Sequence, residues 1–442
     1  MTDRYQADGT GWSPAEPSRA LVLHPIIKVK GERIRDPESR LEEAEGLALA
    51  IQLNVVHREA VRVDKVQPAT LIGKGVAERF GDFIKAEEID LVIMDTSLTP
   101  IQQRNLEKLW NTKVIDRTGL ILEIFGERAR THEGRLQVEL AAMNFQRSRL
   151  VRSWTHLERQ RGGLSFIGGP GESQLEIDRR LIDERLSKLK RQLEGVRKTR
   201  ELQRSARKKV PYPIVALVGY TNAGKSTLFN YLTDANVMAE DLLFATLDPT
   251  MRQVKLPSGR KIIMSDTVGF ISDLPTDLVA AFRATLEEVC EADVVIHVRD
   301  IASAESEEQK QDVIDVLETL ELPIETAQIE ALNKIDLLEF DLREKILTSS
   351  DRHDNAIGIS AISGENCLTL MDMVDQILNA ANETLDVSLK ATDGKLLSWV
   401  YENGDVLKRF DDEKTVDIEL TISFDPKNVG RFNALLKTSS KP

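Results

Sequence analysis

Ile214-Val215-Ala216-Leu217-Val218 is an unbroken apolar run that leads directly into Gly219-Tyr220-Thr221-Asn222-Ala223-Gly224-Lys225-Ser226-Thr227, and helical spacing resumes over Leu228–Leu232. The spacing G-x-x-x-x-G-K-S, entered from a buried strand and left into a helix, admits few folds other than a helix-covered, mostly parallel sheet. Its glycines let main-chain N–H groups close around phosphate, and the helix N-terminus adds a favourable dipole. In such a loop Lys225 reaches the β- and γ-phosphates of a nucleoside triphosphate, and Ser226 ligates Mg2+.

Two later segments complete the pattern. Asp266-Thr267-Val268-Gly269 follows the apolar strand Lys261–Ser265. A carboxylate at a strand end holds the Mg2+ shell, and the Gly269 N–H meets the γ-phosphate. Asp-x-x-Gly alone is an ordinary turn; its position after the phosphate loop gives it meaning. Asn333-Lys334-Ile335-Asp336 follows the strand Thr326–Leu332. Asp336 is suited to accept hydrogen bonds from guanine N1 and N2, a pair that adenine lacks, and such polar readout discriminates strongly. Asn333 is placed to contact guanine N7, and the Lys334 stem to cover the base. Ser360-Ala361, after Ala356–Ile359, offers a backbone contact to guanine O6. These ordered elements point to GTP.

The 442 residues exceed one compact core and suggest two to four domains. With 41% hydrophobic and 30% charged residues, the composition is that of a soluble globular protein. No apolar run of about 18 residues is present, so no membrane span is expected. Met1–Ser18 lacks an apolar signal core and reads as a disordered tail. Cys290 and Cys367 are the only cysteines. They have no metal spacing and read as reduced thiols of a cytoplasmic protein.

The net charge of −13 argues superficially against nucleic acid, but the charge is segregated. Arg185–Lys209 holds eleven Lys or Arg against Glu194 and Glu201, whereas Asp300–Asp341 holds thirteen Asp or Glu against Lys310 and Lys334. A solvated face is the default reading of either run. A basic rod still binds phosphate locally, because salt limits distant charges to a range of about 8 Å.

The chain reads as an α/β protein in four parts. Residues 19–137 alternate strand-like runs (Leu21–Lys28, Asn54–Val63, Asp90–Asp95, Lys113–Asp116) with helical ones (Glu38–Leu53, Gly75–Ala86, Pro100–Trp110), giving an N-terminal α/β domain. Residues 138–210 form a helical hairpin arm, with helices over Val138–Arg161 and Glu172–Lys208 around the glycine-rich tip Gly162–Gly171. Leu181, Leu186, Leu189, Leu193 and Val196 lie on one stripe of the second helix. Pro211 and Pro213 end it. Residues 211–382 form the P-loop GTPase domain. Residues 384–442 read as strand, helix, strand, strand and helix, a small α+β domain.

These motifs are those of translation-factor-type small GTPases, and the chain from Ala20 to Asn382 resembles the HflX family of ribosome-associated GTPases. The resemblance rests on Thr70-Leu71-Ile72-Gly73-Lys74-Gly75, Leu98-Thr99-Pro100-Ile101-Gln102-Gln103-Arg104-Asn105-Leu106 and Asp116-Arg117-Thr118. It extends through Arg135-Leu136-Gln137-Val138-Glu139-Leu140 and Gly168-Gly169-Pro170-Gly171-Glu172. It continues in the switch segment Phe244-Ala245-Thr246-Leu247-Asp248-Pro249-Thr250 and in Asp266-Thr267-Val268-Gly269-Phe270-Ile271.

The resemblance implies that Thr246 is the switch threonine, its hydroxyl on Mg2+ and its N–H sensing the γ-phosphate; Thr250 is a weaker candidate. Phe244, Ala245, Leu247 and Asp248 then border the nucleotide. Asn222 stands where potassium-activated GTPases carry an asparagine that ligates K+; a tolerated polar loop residue is the alternative. Phe270 follows Gly269 where a water-orienting Gln is often found, so intrinsic hydrolysis should be slow. The family implies binding to the large ribosomal subunit, its rRNA included, and use of GTP to dissociate or remodel ribosomes, under stress; the chain is expected to be a monomer. Arg149, Arg152, Arg159 and Arg161 flank the tip, and Trp154 and Phe166 either stack on bases or pack in the hairpin. Two other readings stay open: a ribosomal-subunit assembly GTPase, and an ATP-using RNA remodeller with a second site in the N-terminal domain. Gly73-Lys74-Gly75 is too short to be a phosphate loop of that kind.

Overall fold

A computed structural model describes residues 17–27, 35–160, 174–207, 212–233, 243–244, 246–247, 250–272, 289–319, 326–350, 355–380, 383–390, 393–412, 417–424 and 426–439. By its internal contacts the chain divides into two units, Met1–Arg128 with Ala141–Leu186, and Ala129–Leu140 with Ser187–Pro442.

In the first unit β1 (Arg19–Ile27), β2 (Asn54–Val63), β3 (Leu91–Met94) and β4 (Lys113–Asp116) form a parallel sheet in the order β2-β1-β3-β4. The helices α1 (Pro37–Ala50), α2 (Lys74–Ala86), α3 (Pro100–Trp110) and α4 (Arg117–Arg128) connect and extend it. Helix starts follow local chemistry. Asp36 caps α1 by accepting from Ser39 N at 3.0 Å. Thr99 and Gln102 form a capping box at α3, with Pro100 in its first turn. Helix α4 follows β4 without a loop, so the strand-helix alternation did not separate it; it buries Leu120, Ile121, Ile124 and Phe125. Gly73 caps α2 and Lys74 opens it, so Gly73-Lys74-Gly75 belongs to a helix start.

Two long helices follow, α5 (His132–Gln160) and α6 (Gln174–Arg207). Helix α5 begins six residues ahead of Val138 because Thr131 Oγ1 accepts from Gly134 N at 2.9 Å and caps it there. The apolar stripe of α6 is only partly core: Leu186 and Leu189 are buried, while Leu181 is 54% exposed. The tip Gly162–Gly171, with Arg161 and Phe166, lies outside the described residues, as do the side chains of Arg152, Trp154 and Arg159. Arg149 departs from the sequence expectation. Its guanidinium is bound to Asp116 and Gln103 and stacks 4.2 Å from the Phe145 ring, so it serves the interior of the first unit rather than a free basic face.

The second unit holds the six-stranded sheet β10-β9-β8-β5-β7-β6, built from β5 (Ile214–Gly219), β6 (Thr250–Lys255), β7 (Lys261–Asp266), β8 (Val294–Asp300), β9 (Ala327–Asn333) and β10 (Ala356–Gly358). All its pairings are parallel except β6 with β7. Val215, Ala216, Leu217 and Val218 are fully buried, which is what a central parallel strand covered on both faces requires. Helices α7 (Lys225–Thr233), α8 (Ser306–Thr319), α9 (Phe340–Ser350) and α10 (Cys367–Ala380) accompany the sheet. Cys367 is buried in this core, and burial pushes its thiol up to about 11, as for an inert core residue.

The last segment is β11 (Glu383–Lys390), α11 (Gly394–Asn403), β12 (Asp405–Asp412), β13 (Asp417–Phe424) and α12 (Pro426–Ser439), with an antiparallel sheet in the order β11-β13-β12. Ile418, Leu420, Ile422 and Phe424 alternate inward on β13 and pack with Val400 and Phe432 into a separate core. Among the described residues no helix is long and apolar enough to cross a membrane.

Candidate active site

The loop 219–224 connects the C-terminal end of β5 to α7, and geometry forces glycine at 224 in it and at 269 in the Asp-x-x-Gly turn. Gly224 has φ +92°, and a Cβ there would lie 2.2 Å from Asn333 Nδ2. A Cβ on Gly269 would come within 2.9 Å of Thr221 Cγ2 and 3.0 Å of Lys225 Nζ. The phosphate loop and the Asp-x-x-Gly turn are thus in direct contact. Main-chain bonds tie them together: Phe270 N donates to Gly219 O at 3.1 Å, and Thr221 N donates to Phe270 O at 2.7 Å. Tyr220 adds a side-chain tie, its buried hydroxyl accepting from Ser272 N at 2.9 Å. The Phe270 ring is itself 2% exposed and turned into the core.

Lys225 is buried, and its Nζ donates to Gly219 O at 3.1 Å and Tyr220 O at 2.7 Å. Burial pushes its ammonium down to about 8, with the Asp266 carboxylate opposing that shift. Ser226, Thr246 and Asp266 converge. Ser226 Oγ donates to Asp266 Oδ2 at 2.7 Å, Thr246 Oγ1 donates to the same oxygen at 3.1 Å, and the two hydroxyls are 2.9 Å apart. Asp266 Oδ1 is buried with no hydrogen-bond partner. Burial drives the Asp266 carboxyl above the usual carboxylate range, opposed by Lys225 and by the two hydroxyls. The hydroxyls of Ser226 and Thr246 and the Asp266 carboxylate, whose Oδ1 is left unpaired, are hard oxygen donors of the kind that fit Mg2+.

The hydroxyl in this cluster is that of Thr246; Thr250 instead opens β6, paired in register with Asp266. Phe244, at φ +57°, and Leu247 are each 2% exposed and anchor the switch segment on either side of Thr246. Ala245, Asp248 and Pro249 lie outside the described residues. Thr267 is buried with its hydroxyl donating to Leu217 O at 2.6 Å, and Val268 is buried beside it.

At the same C-terminal edge of the sheet, at the end of β9, Asn333 links two loops. Its Nδ2 donates to Ala223 O at 2.8 Å, and its Oδ1 accepts from Ala361 N at 2.9 Å. Those partners fix which end of the amide is which. One Nδ2 hydrogen serves the phosphate loop, leaving the other for the N7 contact expected from the sequence. Lys334, in the left-handed region at φ +69°, pairs through Nζ with Asp300 at 2.7 Å, which fixes the direction of its stem. Asp336 lies exposed on the single 3-10 turn Ile335–Leu337, and its carboxylate makes no hydrogen bond or ion pair among the described residues. Ser360 and Ala361 are buried. Asn222 is exposed, in the left-handed region at φ +58° that asparagine tolerates. Sequence reasoning missed the Asn333 link and the Tyr220–Ser272 tie; a tyrosine in an otherwise small-residue loop was the available signal for the second.

Four family models match along the chain: a GTP-binding GTPase N-terminal region over residues 38–126, a GTP-binding GTPase middle region over 128–207, a 50S ribosome-binding GTPase over 214–334 and an HflX C-terminal domain over 345–436. The GTPase HflX of Magnetococcus marinus is 49% identical over 419 residues, covering 94% of each chain. The chain belongs to the HflX family of GTPases. The GTPase HflX of Escherichia coli is 44% identical over 402 residues, covering 91% of this chain and 90% of its own. A solved complex of SsGBP with GDP is 25% identical, at a TM-score of 0.48, over 81% of this chain and 98% of that one. As an HflX-family member the chain hydrolyses GTP, and Ser226, Thr246, Asp266 and Asn333 lie within the segment that the GTPase model matches.

Proposed function

We propose that this HflX-family GTPase binds the large ribosomal subunit, rRNA included, and couples GTP binding and hydrolysis to dissociating or remodelling ribosomes, under stress and as a cytoplasmic monomer. The observation that carries the nucleotide half is the convergence of Ser226, Thr246 and Asp266 beside Lys225 and Gly269. The description of the model matched over residues 214–334 supports the ribosomal half. So does the basic run of α6, a rod suited to phosphate. The working parts are the segments 19–137, 138–210, 211–382 and 384–442.

In this reading Lys225 and the N–H groups of 224–227 hold the β- and γ-phosphates, while Ser226, Thr246 and Asp266 would hold Mg2+. The ion supplies charge neutralisation across the phosphate oxygens. The Gly269 N–H reports the γ-phosphate, so its loss on hydrolysis frees the Thr246 and Gly269 segments together. Asp336 reads guanine N1 and N2, Asn333 reads N7, Lys334 covers the base, and the Ala361 segment faces O6. Asn222 would hold K+, which would supply positive charge to the reaction. Turnover is therefore expected to be several-fold faster in K+ than in Na+ at matched ionic strength, and Asn222→Ala to remove the difference. Equal wild-type rates in the two salts reject the potassium site.

Helix α6 is separated from β5 by only six residues, a short path from the arm to the phosphate loop. Large subunits are expected to raise GTP turnover at least about tenfold, well within what a partner supplies to slow GTPases. Replacing Gly162–Gly171 by a short linker should remove most of that stimulation and leave GTP affinity unchanged. Full stimulation after the replacement makes the tip a mere connector. Neutralising Arg197, Lys198, Arg200 and Arg204 should weaken subunit binding and flatten its salt dependence.

A further inference from the structure

Among the described residues, the position after Gly269 offers no group to hold water. The Phe270 ring is buried in the core, and no side-chain hydrogen-bonding group follows Gly269 at that position. One hydroxyl beside the same turn is unaccounted for. Thr221 is 6% exposed, and its Oγ1 is buried with no hydrogen-bond partner. Native proteins seldom leave such a group unpaired without a use for it. The neighbouring buried threonine makes the contrast: Thr267 satisfies its hydroxyl on Leu217 O at 2.6 Å.

The Thr221 main chain is fixed by its N–H on Phe270 O at 2.7 Å. Its methyl carbon Cγ2 and Lys225 Nζ both face the point where a Gly269 Cβ would stand, at 2.9 and 3.0 Å, and Oγ1 shares the Cβ with that methyl. The hydroxyl therefore belongs to a residue wedged between the loop that holds the terminal phosphates and the turn that senses the last one.

Resting on the GTP site described above, we propose that Thr221 is a catalytic residue whose Oγ1 accepts a hydrogen bond from the attacking water and donates one to a γ-phosphate oxygen. A hydroxyl has one donor and two acceptor positions, enough for both roles. In the step itself the water oxygen bonds to the γ-phosphorus, and the bond from that phosphorus to the β–γ bridging oxygen breaks. The water's proton ends on the inorganic phosphate, GDP leaves, and Thr221 gains and loses nothing.

The test uses Thr221→Val, which keeps the shape and removes the hydroxyl, and Thr221→Ser, which keeps the hydroxyl. Four quantities are read on the full chain: GDP affinity, capture of GDP with aluminium fluoride, kcat for GTP, and Tm without nucleotide. The valine variant should bind GDP within about twofold of wild type and melt no lower, since it loses only an unpaired buried group. Its kcat and its aluminium fluoride capture should both fall about tenfold to a hundredfold, the range for losing one hydrogen bond to a charged group. The serine variant should recover most of both. A valine variant with wild-type kcat overturns the proposal. So does one that loses GDP affinity and Tm along with turnover, which marks a packing role, and so does a serine variant as slow as valine. If wild-type protein binds no GDP, the reading of the whole site falls with it.

Discussion

Lys225→Ala is expected to abolish detectable GTP turnover, a loss of at least about 10²-fold, while the fold survives. The ammonium is buried, and its two hydrogen bonds go to carbonyls of its own loop, Gly219 O and Tyr220 O. Burial lowers its pKa to about 8, so the isolated charge works against the empty fold rather than for it. A triphosphate reverses that balance by supplying the missing anion. Removing the cation therefore takes away phosphate stabilisation without removing a structural support. The loop keeps its bonds through Thr221 N, Phe270 N and Asn333 Nδ2. Circular dichroism and Tm near wild type, with turnover gone, are the expected pair of results. Turnover that persists in a well-folded variant moves the reaction elsewhere in the chain.

Asp336→Asn should invert base preference. The Asp336 carboxylate is exposed and makes no bond within the protein among the described residues, so it is available to a base. It offers acceptors only, which suits the N1–H and 2-amino group of guanine. Xanthine carries an oxygen in place of that amino group, and the amide of asparagine can donate to it. Loss of a matched polar pair in a recognition site costs up to about 10⁴-fold in discrimination. GTP affinity is expected to fall by at least about 10²-fold and xanthosine triphosphate affinity to rise. Competition against a fluorescent guanine nucleotide measures both. Equal GTP affinity in variant and wild type removes Asp336 from the base site.

Much of this was legible because local chemistry and tertiary structure agree. Ile214–Val218 is apolar at every position, so a central strand was the only economical reading, and the loop and helix after it follow from glycine, lysine and serine spacing. The C-terminal order of strand, helix, strand, strand and helix was read from period alone, and the elements have that order. Other features lie beyond any local signal. Asn333 joins Ala223, 110 residues away, to Ala361, 28 residues away, and nothing in Asn-Lys-x-Asp spacing says that both ends of one amide are engaged. Spacing likewise does not say which hydroxyl meets the others; Thr246, not the weaker candidate Thr250, is the one in contact with Ser226 and Asp266. Arg149 reads as one of four arginines flanking the tip until Asp116 and Gln103 are found around it. A periodic leucine at 181 reads as core, yet it is exposed, because helical spacing gives a face and not its occupant.

The central claim is that the three motifs compose one Mg2+-dependent, guanine-specific hydrolytic site. The most direct test is phosphate release by the purified chain from GTP and from ATP, each with Mg2+ and with a chelator in its place. The account predicts release from GTP with Mg2+ alone, slow but catalytic, and none from the other three mixtures. ATP hydrolysed as fast as GTP, or GTP hydrolysed equally well without Mg2+, would contradict it.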